Sequence, residues 1–191
     1  MKVATWNVNS IRVRVDRGLR FLERHEPDVV CLQETKVVDE VFPVAAFEEQ
    51  GWRVTAFGQK TYNGVAFLSR EAPEEVVRGI PDEVDDPQAR LISARFGDVE
   101  IVNIYVPNGS EVGSEKFEYK LRWLARLRDW LDRDKDPARP MMICGDYNIA
   151  PDDRDVYDPD AWRGKVLFHP DEHAVLQRLE EICIKLFSPN S

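Results

Sequence analysis

Cysteine and histidine are scarce in this chain and basic residues are outnumbered by acidic ones, which narrows the functions open to it. Cys31, Cys144 and Cys183 are the only cysteines among 191 residues, too few and too scattered for a disulfide framework, and none belongs to a C-x-x-C pair of the zinc-binding kind. Cys31 and Cys144 lie in apolar runs, where a reduced thiol packs as a small hydrophobe. Acidic residues outnumber basic ones, 35 to 26, for a net charge of −9. That excludes coating a polyanion with a uniformly basic surface and leaves room for a local basic groove. No apolar run approaches the roughly 20 residues that span a bilayer. The start, MKVATWNVNS, lacks the basic-then-apolar pattern of a secretory signal, so a cytoplasmic protein is expected. What is left, at 43% hydrophobic and 32% charged residues, is an ordinary globular composition without repeats or low-complexity tracts. A single domain of this length buries roughly 70% of its unfolded surface, enough for a core without staples.

Lys2 to Trp6 and Asp28 to Leu32 read as strands on either side of a helix. In that helix Ile11, Val15, Leu19 and Leu22 recur at helical spacing, Arg12, Arg14, Arg17, Arg20 and Arg24 fall mostly off the stripe, and Pro27 ends it. Further strands are expected at Trp52 to Phe57, Val65 to Ser69, Arg90 to Phe96 and Val99 to Val106, with turns at Tyr62-Asn63-Gly64 and Phe96-Gly97-Asp98 that favour antiparallel hairpins. The sheet is therefore mixed. Lys116 to Leu131 is helical by period, with Leu121, Leu124, Leu127 and Leu131 on one side and Lys120, Arg122, Arg126 and Arg128 largely elsewhere. Met141 to Cys144 reads as an apolar strand, followed by an Asp/Pro-rich loop and a helix near Asp171 to Glu181.

Polar residues stand directly after three of these strands: Asn7 with Asn9, Glu34, and Asp146 with Asn148. Sites form beyond strand C-termini because the loops there converge while the sheet fixes their positions. Two carboxylates and one or two amide oxygens at one point make an all-oxygen environment for a hard cation, Mg²⁺ or Mn²⁺ in preference to zinc. Taken singly, each residue has a plainer explanation. Asn7 reads as a cap or an Asx turn, Glu34 as a first-turn charge or solvated edge, and Asp146 as turn chemistry.

The runs WNVNSIR (Trp6 to Arg12), LQETK (Leu32 to Lys36), NGVAFLS (Asn63 to Ser69), VNIYVPNG (Val102 to Gly109) and CGDYN (Cys144 to Asn148) together resemble the exonuclease III family. This is a family of DNA-repair nucleases within the endonuclease/exonuclease/phosphatase superfamily. The likeness runs from Met1 to about Glu180. It implies an α/β (α+β) fold, a four-layer α/β/β/α sandwich of the DNase I-like type. It also implies that Asn7, Glu34, Asp146 and Asn148 surround Mg²⁺ (or Mn²⁺), that Tyr105 lies beside the attacked phosphate, and that Asp146 handles the proton of the attacking water. Asn148 would stabilise the pentacovalent phosphate. Asn108, Gly109 and Lys116 would contact substrate, with Lys36 and Lys60 adding phosphate contacts. The implied reaction is in-line attack of water on a phosphodiester, leaving a 3′-hydroxyl and a 5′-phosphate. The implied substrate is duplex DNA with an abasic site or a recessed 3′ end, and no membrane is involved.

The resemblance also implies later strands, a further aspartate and a Ser-Asp-His run that this sequence lacks. Its histidines are His25, His169 and His173, and Pro170-Asp171-Glu172-His173 reads as the opening of a helix. ICIKLFSPNS, Ile182 to Ser191, departs from the family, which divides the chain into a domain at 1–181 and a divergent tail at 182–191, as after a frameshift or truncation. Most of the second sheet is then expected to be missing and the activity impaired. An intact protein would be a monomer; a truncated one would be aggregation-prone or covered by a partner. Two other functions remain open: a non-catalytic remnant that binds nucleic acid or protein, and a phosphatase acting on a small phosphorylated substrate.

Overall fold

The chain opens with the strand, helix, strand unit read from the sequence, seen in a computed structural model that describes residues 1–136 and 138–185, with side chains through residue 181. Strands β1 (Val3–Asn7) and β2 (Val29–Gln33) pair in parallel, joined by a 3-10 turn at Ile11–Val13 and helix α1 (Val15–His25). The single helix expected from Ile11 breaks at Arg14, whose N–H closes the 3-10 turn on the Ile11 carbonyl. At the other end Glu26 turns left-handed (φ 44°) and caps α1, leaving Pro27 outside.

Helix α2 (Val44–Glu48) precedes strands β3 (Arg53–Phe57), β4 (Val65–Ser69), β5 (Glu74–Arg78), β6 (Leu91–Phe96), β7 (Val99–Tyr105) and, after an excursion, β8 (Met141–Asp146). They form two four-stranded sheets, β1-β2-β4-β3 and β5-β6-β7-β8. Both are mixed, with parallel pairing at β1/β2 and β7/β8 and antiparallel pairing elsewhere. The expectation that most of the second sheet is missing is therefore corrected: among the described residues it has as many strands as the first. The sequence pattern missed β5 because this edge strand is built from Glu74, Glu75 and Arg78 around two valines, with a register shift between Glu74 and Val77. Charge and a bulge at an edge are what discourage another chain from pairing there.

All these strands, with α1 and α2, belong to one unit, Met1–Tyr105 with Met141–Asp146. Its sheets pack face to face over Val29, Cys31, Val65, Phe67, Ile92, Ala94, Phe96 and Ile101, and the Phe67 and Phe96 rings meet edge-on at 5.1 Å. The alternate residues Val30, Leu32, Ala66 and Leu68 pack with Leu22 of α1 and Phe47 of α2. With both faces buried, β2 and β4 read as unbroken apolar runs, without the alternation of a half-exposed strand. Cys31 is fully buried and Cys144 half-buried, as free thiols with their Sγ atoms 3.3 Å apart.

The second unit comprises Val106–Pro140 and the described residues from Tyr147 onward. It holds helices α3 (Glu115–Asp134), α4 (Pro159–Trp162) and α5 (Pro170–Lys185). Ser114 caps α3, its hydroxyl accepting from the Phe117 N–H at 3.2 Å. The buried stripe of α3 is Phe117, Lys120, Trp123, Leu124, Leu127, Trp130 and Leu131. This corrects the sequence pattern, which put Lys120 off the apolar side and Leu121, here half-buried, on it. The run from Pro170 opens α5 as expected. That helix continues through Lys185, so the tail expected from residue 182 begins inside it, and 186–191 lie outside the described residues. No helix among the described residues is long and apolar enough to cross a membrane.

Candidate active site

In the first unit, four neighbouring strand ends carry a cluster of polar side chains. Asn7 is the last residue of β1, Glu34 follows β2 directly, and Tyr105 and Asp146 are the last residues of β7 and β8, opposite each other in the parallel register. The close pairing at that point depends on Gly145. Its φ is 141°, and a Cβ there would lie 2.0 Å from the Ile104 carbonyl oxygen. A buried amide bridge braces the same ends. Gln33 Nε2 donates to Asn103 Oδ1 at 2.7 Å, and Asn103 Nδ2 donates to the carbonyls of Leu32 (3.0 Å) and Ala66 (3.1 Å). It ties β2, which delivers Glu34, to β7, which delivers Tyr105.

Asn7 occupies the middle of the cluster. Its Nδ2 donates to Glu34 Oε1 and to Asp146 Oδ2, each at 2.8 Å, while its Oδ1 accepts from the Asn9 backbone N–H at 3.0 Å. The lysine expected at phosphate is held here instead: Lys36 Nζ pairs with Glu34 Oε2 at 2.8 Å and donates to Asn9 Oδ1 at 2.5 Å. Glu34, Lys36 and Asn9 all have left-handed backbones (φ 54°, 57° and 42°), a conformation costly for non-glycine residues and frequent at functional sites.

The surroundings set the charges. Burial pushes the Glu34 carboxyl up, but hydrogen bonds from Asn7, Lys36 and Tyr105, with the Lys36 charge, outweigh it and hold the group below its ordinary value. The Tyr105 phenol is pushed up to about 12 by burial, by the Glu34 charge and by its hydrogen bond to Glu34, against the opposing Arg90 charge. It is thus a neutral donor at pH 7. Arg90 steadies it: Nη1 donates to the Tyr105 carbonyl at 3.2 Å and the guanidinium lies 4.9 Å from the ring centre.

Asn148, Asn108 and Gly109 form a group in the second unit. Asn148, also left-handed (φ 47°), donates through Nδ2 to the Val106 carbonyl at 2.9 Å, and its Oδ1 accepts from Asn108 Nδ2 at 3.4 Å. The carbonyls of Asn148 and Asn108 both accept from the buried Lys120 ammonium, at 2.6 and 3.2 Å. Lys116 is exposed in the first turn of α3, and Lys60 is also exposed. The structure thus brings Asn7, Glu34, Tyr105 and Asp146 together in one unit and Asn108, Gly109 and Asn148 in the other. The sequence singled out no role for Arg90, Lys120 or Glu172, nor the bridge between Gln33 and Asn103 within their motifs, because these roles depend on partners far along the chain.

Two carboxylates flanked by amide and phenol groups can hold a hard cation with water completing its shell. Among the described residues no three His, Cys, Asp or Glu side chains gather as a metal cluster.

A family profile described as "Endonuclease/Exonuclease/phosphatase family" matches residues 4–176. The chain belongs to the endonuclease/exonuclease/phosphatase family. Within that family, it is 38% identical over 190 residues to exodeoxyribonuclease III of Haemophilus influenzae, covering 94% of this chain and 71% of the relative. An AP endonuclease structure from Archaeoglobus fulgidus superposes with a TM-score of 0.91 at 40% identity, over 95% of this chain and 70% of the other. A 3′ phosphatase from Neisseria, solved with a product DNA hairpin, superposes with a TM-score of 0.88 at 41% identity, over 95% of this chain and 71% of the other. These likenesses establish the DNase I-like sandwich class and put the chain among the family's exodeoxyribonuclease III-type DNA-repair nucleases.

Proposed function

We propose that this chain hydrolyses DNA phosphodiesters with Mg²⁺ (or Mn²⁺), incising duplexes at abasic sites and removing nucleotides from recessed 3′ ends. The observation that carries this reading is Asn7 bonded to both Glu34 and Asp146, beside a Tyr105 that donates to Glu34. Exodeoxyribonuclease III and AP endonuclease are the names of its relatives. The domain at 1–181 and the cytoplasm are part of the same proposal, the latter supported by the free thiols of Cys31 and Cys144.

The donor set fits a hard divalent cation: Glu34 and Asp146 bring two carboxylates to one amide, Lys36 pairs with the first of them, and every oxygen present suits Mg²⁺. Glu34 and Asp146 would hold the ion, which would neutralise charge on the phosphate. Asn7 keeps both carboxylates aimed at one point. Asp146 takes the proton from the attacking water, and Tyr105, neutral at working pH, turns its single O–H from Glu34 to a phosphate oxygen when the substrate binds. Asn148 donates its amide N–H to the charge that develops on the phosphate. The departing 3′ oxygen is protonated by solvent, leaving a 3′-hydroxyl and a 5′-phosphate. Lys116, Asn108 and Gly109 contact the substrate backbone.

The test is incubation with abasic duplex, single-stranded DNA and inositol phosphates, each with Mg²⁺ and with EDTA. Cleavage of the abasic duplex alone, abolished by EDTA and by Glu34→Gln, is the expected result. Release of phosphate from inositol phosphates would select the phosphatase reading, and no turnover of any substrate would select the remnant.

A further inference from the structure

We propose that the buried pair Lys120–Glu172 is a positioning device for Asn148, a role that rests on the reading of Asn148 as the amide at phosphate. Both side chains are fully buried, which lysine and glutamate almost never are without a partner. Stability alone does not account for them, because replacing a buried ion pair with apolar groups of similar volume is often neutral or stabilising. What the ammonium does that a leucine cannot is draw two loop carbonyls to one atom. Lys120 Nζ donates to the Asn148 carbonyl at 2.6 Å and the Asn108 carbonyl at 3.2 Å, and it pairs with Glu172 Oε1. Glu172 is fixed in turn, its Oε2 accepting from the His169 N–H at 3.0 Å.

The held residue needs holding. Asn148 has a left-handed backbone (φ 47°), and its side chain is tied separately to the Val106 carbonyl and to Asn108. Its carbonyl is thus anchored by Lys120 while its amide is anchored by the Asn108 loop, so neither end can turn without breaking a bond. That loop also fits the lysine stem. A Cβ at Gly109 (φ 94°) would lie 3.2 Å from Lys120 Cδ and 3.0 Å from Val166 Cγ2.

The experiment replaces the pair together, Lys120→Met with Glu172→Leu, and compares it with Asn148→Ala and the triple variant. The double variant should fold with a Tm near that of the unaltered protein. Its single-turnover rate on abasic duplex should fall on the order of 100-fold, with affinity for the duplex within about threefold, the pattern of a misplaced group at the reacting centre. Removing the pair from Asn148→Ala should cost less than about threefold more, since the effect travels through a side chain already gone. Rates that fall independently and multiply in the triple variant would overturn the proposal, as would a double variant that keeps its rate. Should the double variant not fold, Glu172→Gln, which keeps the shape and drops the charge, carries the same comparison. A second readout is the Asn148 side-chain NH₂ resonance in the ¹⁵N spectrum, which should move in either variant and overturns the proposal if it does not. Absence of cleavage by the unaltered chain would count against the proposed function and leave the resonance to decide the positioning role.

Discussion

One amide at Asn7 makes both the local turn and the bridge between two acids. Its oxygen closes an Asx turn on the Asn9 N–H, the plain reading of an isolated asparagine, while its NH₂ joins Glu34 to Asp146. Removing the charge at its neighbour tests the centre. Glu34→Gln should lower Mg²⁺-dependent cleavage by at least about 100-fold, since a bound ion is worth several kcal/mol and each tenfold is about 1.4 kcal/mol; a loss under tenfold in a cleavage assay would count against Glu34 as the ligand. The pH dependence has a definite sign at Tyr105. Its raised value, about 12, means stability is fully present below the ordinary tyrosine value of about 10 and is lost as pH rises through about 12. Denaturant unfolding at increasing pH should show this alkaline loss in the protein and a smaller one in Tyr105→Phe. Glu34 runs the other way: with its carboxyl held low, its contribution is present above the ordinary carboxylate value of about 4.3 and fades only below it.

Strand ends do the aiming. Asp146 faces Tyr105 because Gly145 lets β8 pass against the Ile104 carbonyl, so Gly145→Ala should destabilise the protein and displace Asp146, seen as a lowered Tm together with lost activity. The Gln33–Asn103 bridge offers a second test. Asn103→Leu takes the shortest of three acceptors from Gln33, which keeps Thr5 Oγ1 and the Cys31 carbonyl, and removes the donor to the Leu32 and Ala66 carbonyls; it should cost about 1–3 kcal/mol, whereas pairing it with Gln33→Leu should cost less than the two single changes summed. Urea denaturation of the three variants decides it. These elements were unequally legible in the sequence. VVCLQ and VAFLS announce buried strands because both faces are covered, and Asn7, Glu34 and Asp146 announce themselves by standing at strand ends. β5 does not, since its glutamates pair with Arg95 at an edge, and Lys120 does not, because helical periodicity sends a charge to solvent unless a distant Glu172 is known to meet it.

The molecule as a whole must handle a polyanion while carrying a net charge of −9. Affinity for DNA then rests on a few local cations and not on the overall field. Lys36, spent on Glu34, is not a free phosphate contact, which leaves exposed residues such as Lys60 and Lys116. Lys116→Ala should weaken duplex binding without changing sequence preference and make the salt dependence of log Kd shallower by about one unit. The core that carries all of this is the packing between the two sheets, where Phe67→Ala should cost about 3–5 kcal/mol by thermal or denaturant unfolding. The central claim is that Glu34 and Asp146, held together by Asn7, form one cation centre. Crystals soaked in Mn²⁺ test it most directly: an anomalous peak bonded to carboxylate oxygens of Glu34 and Asp146 is predicted, and strong Mn²⁺ sites elsewhere with none at these two residues would contradict it.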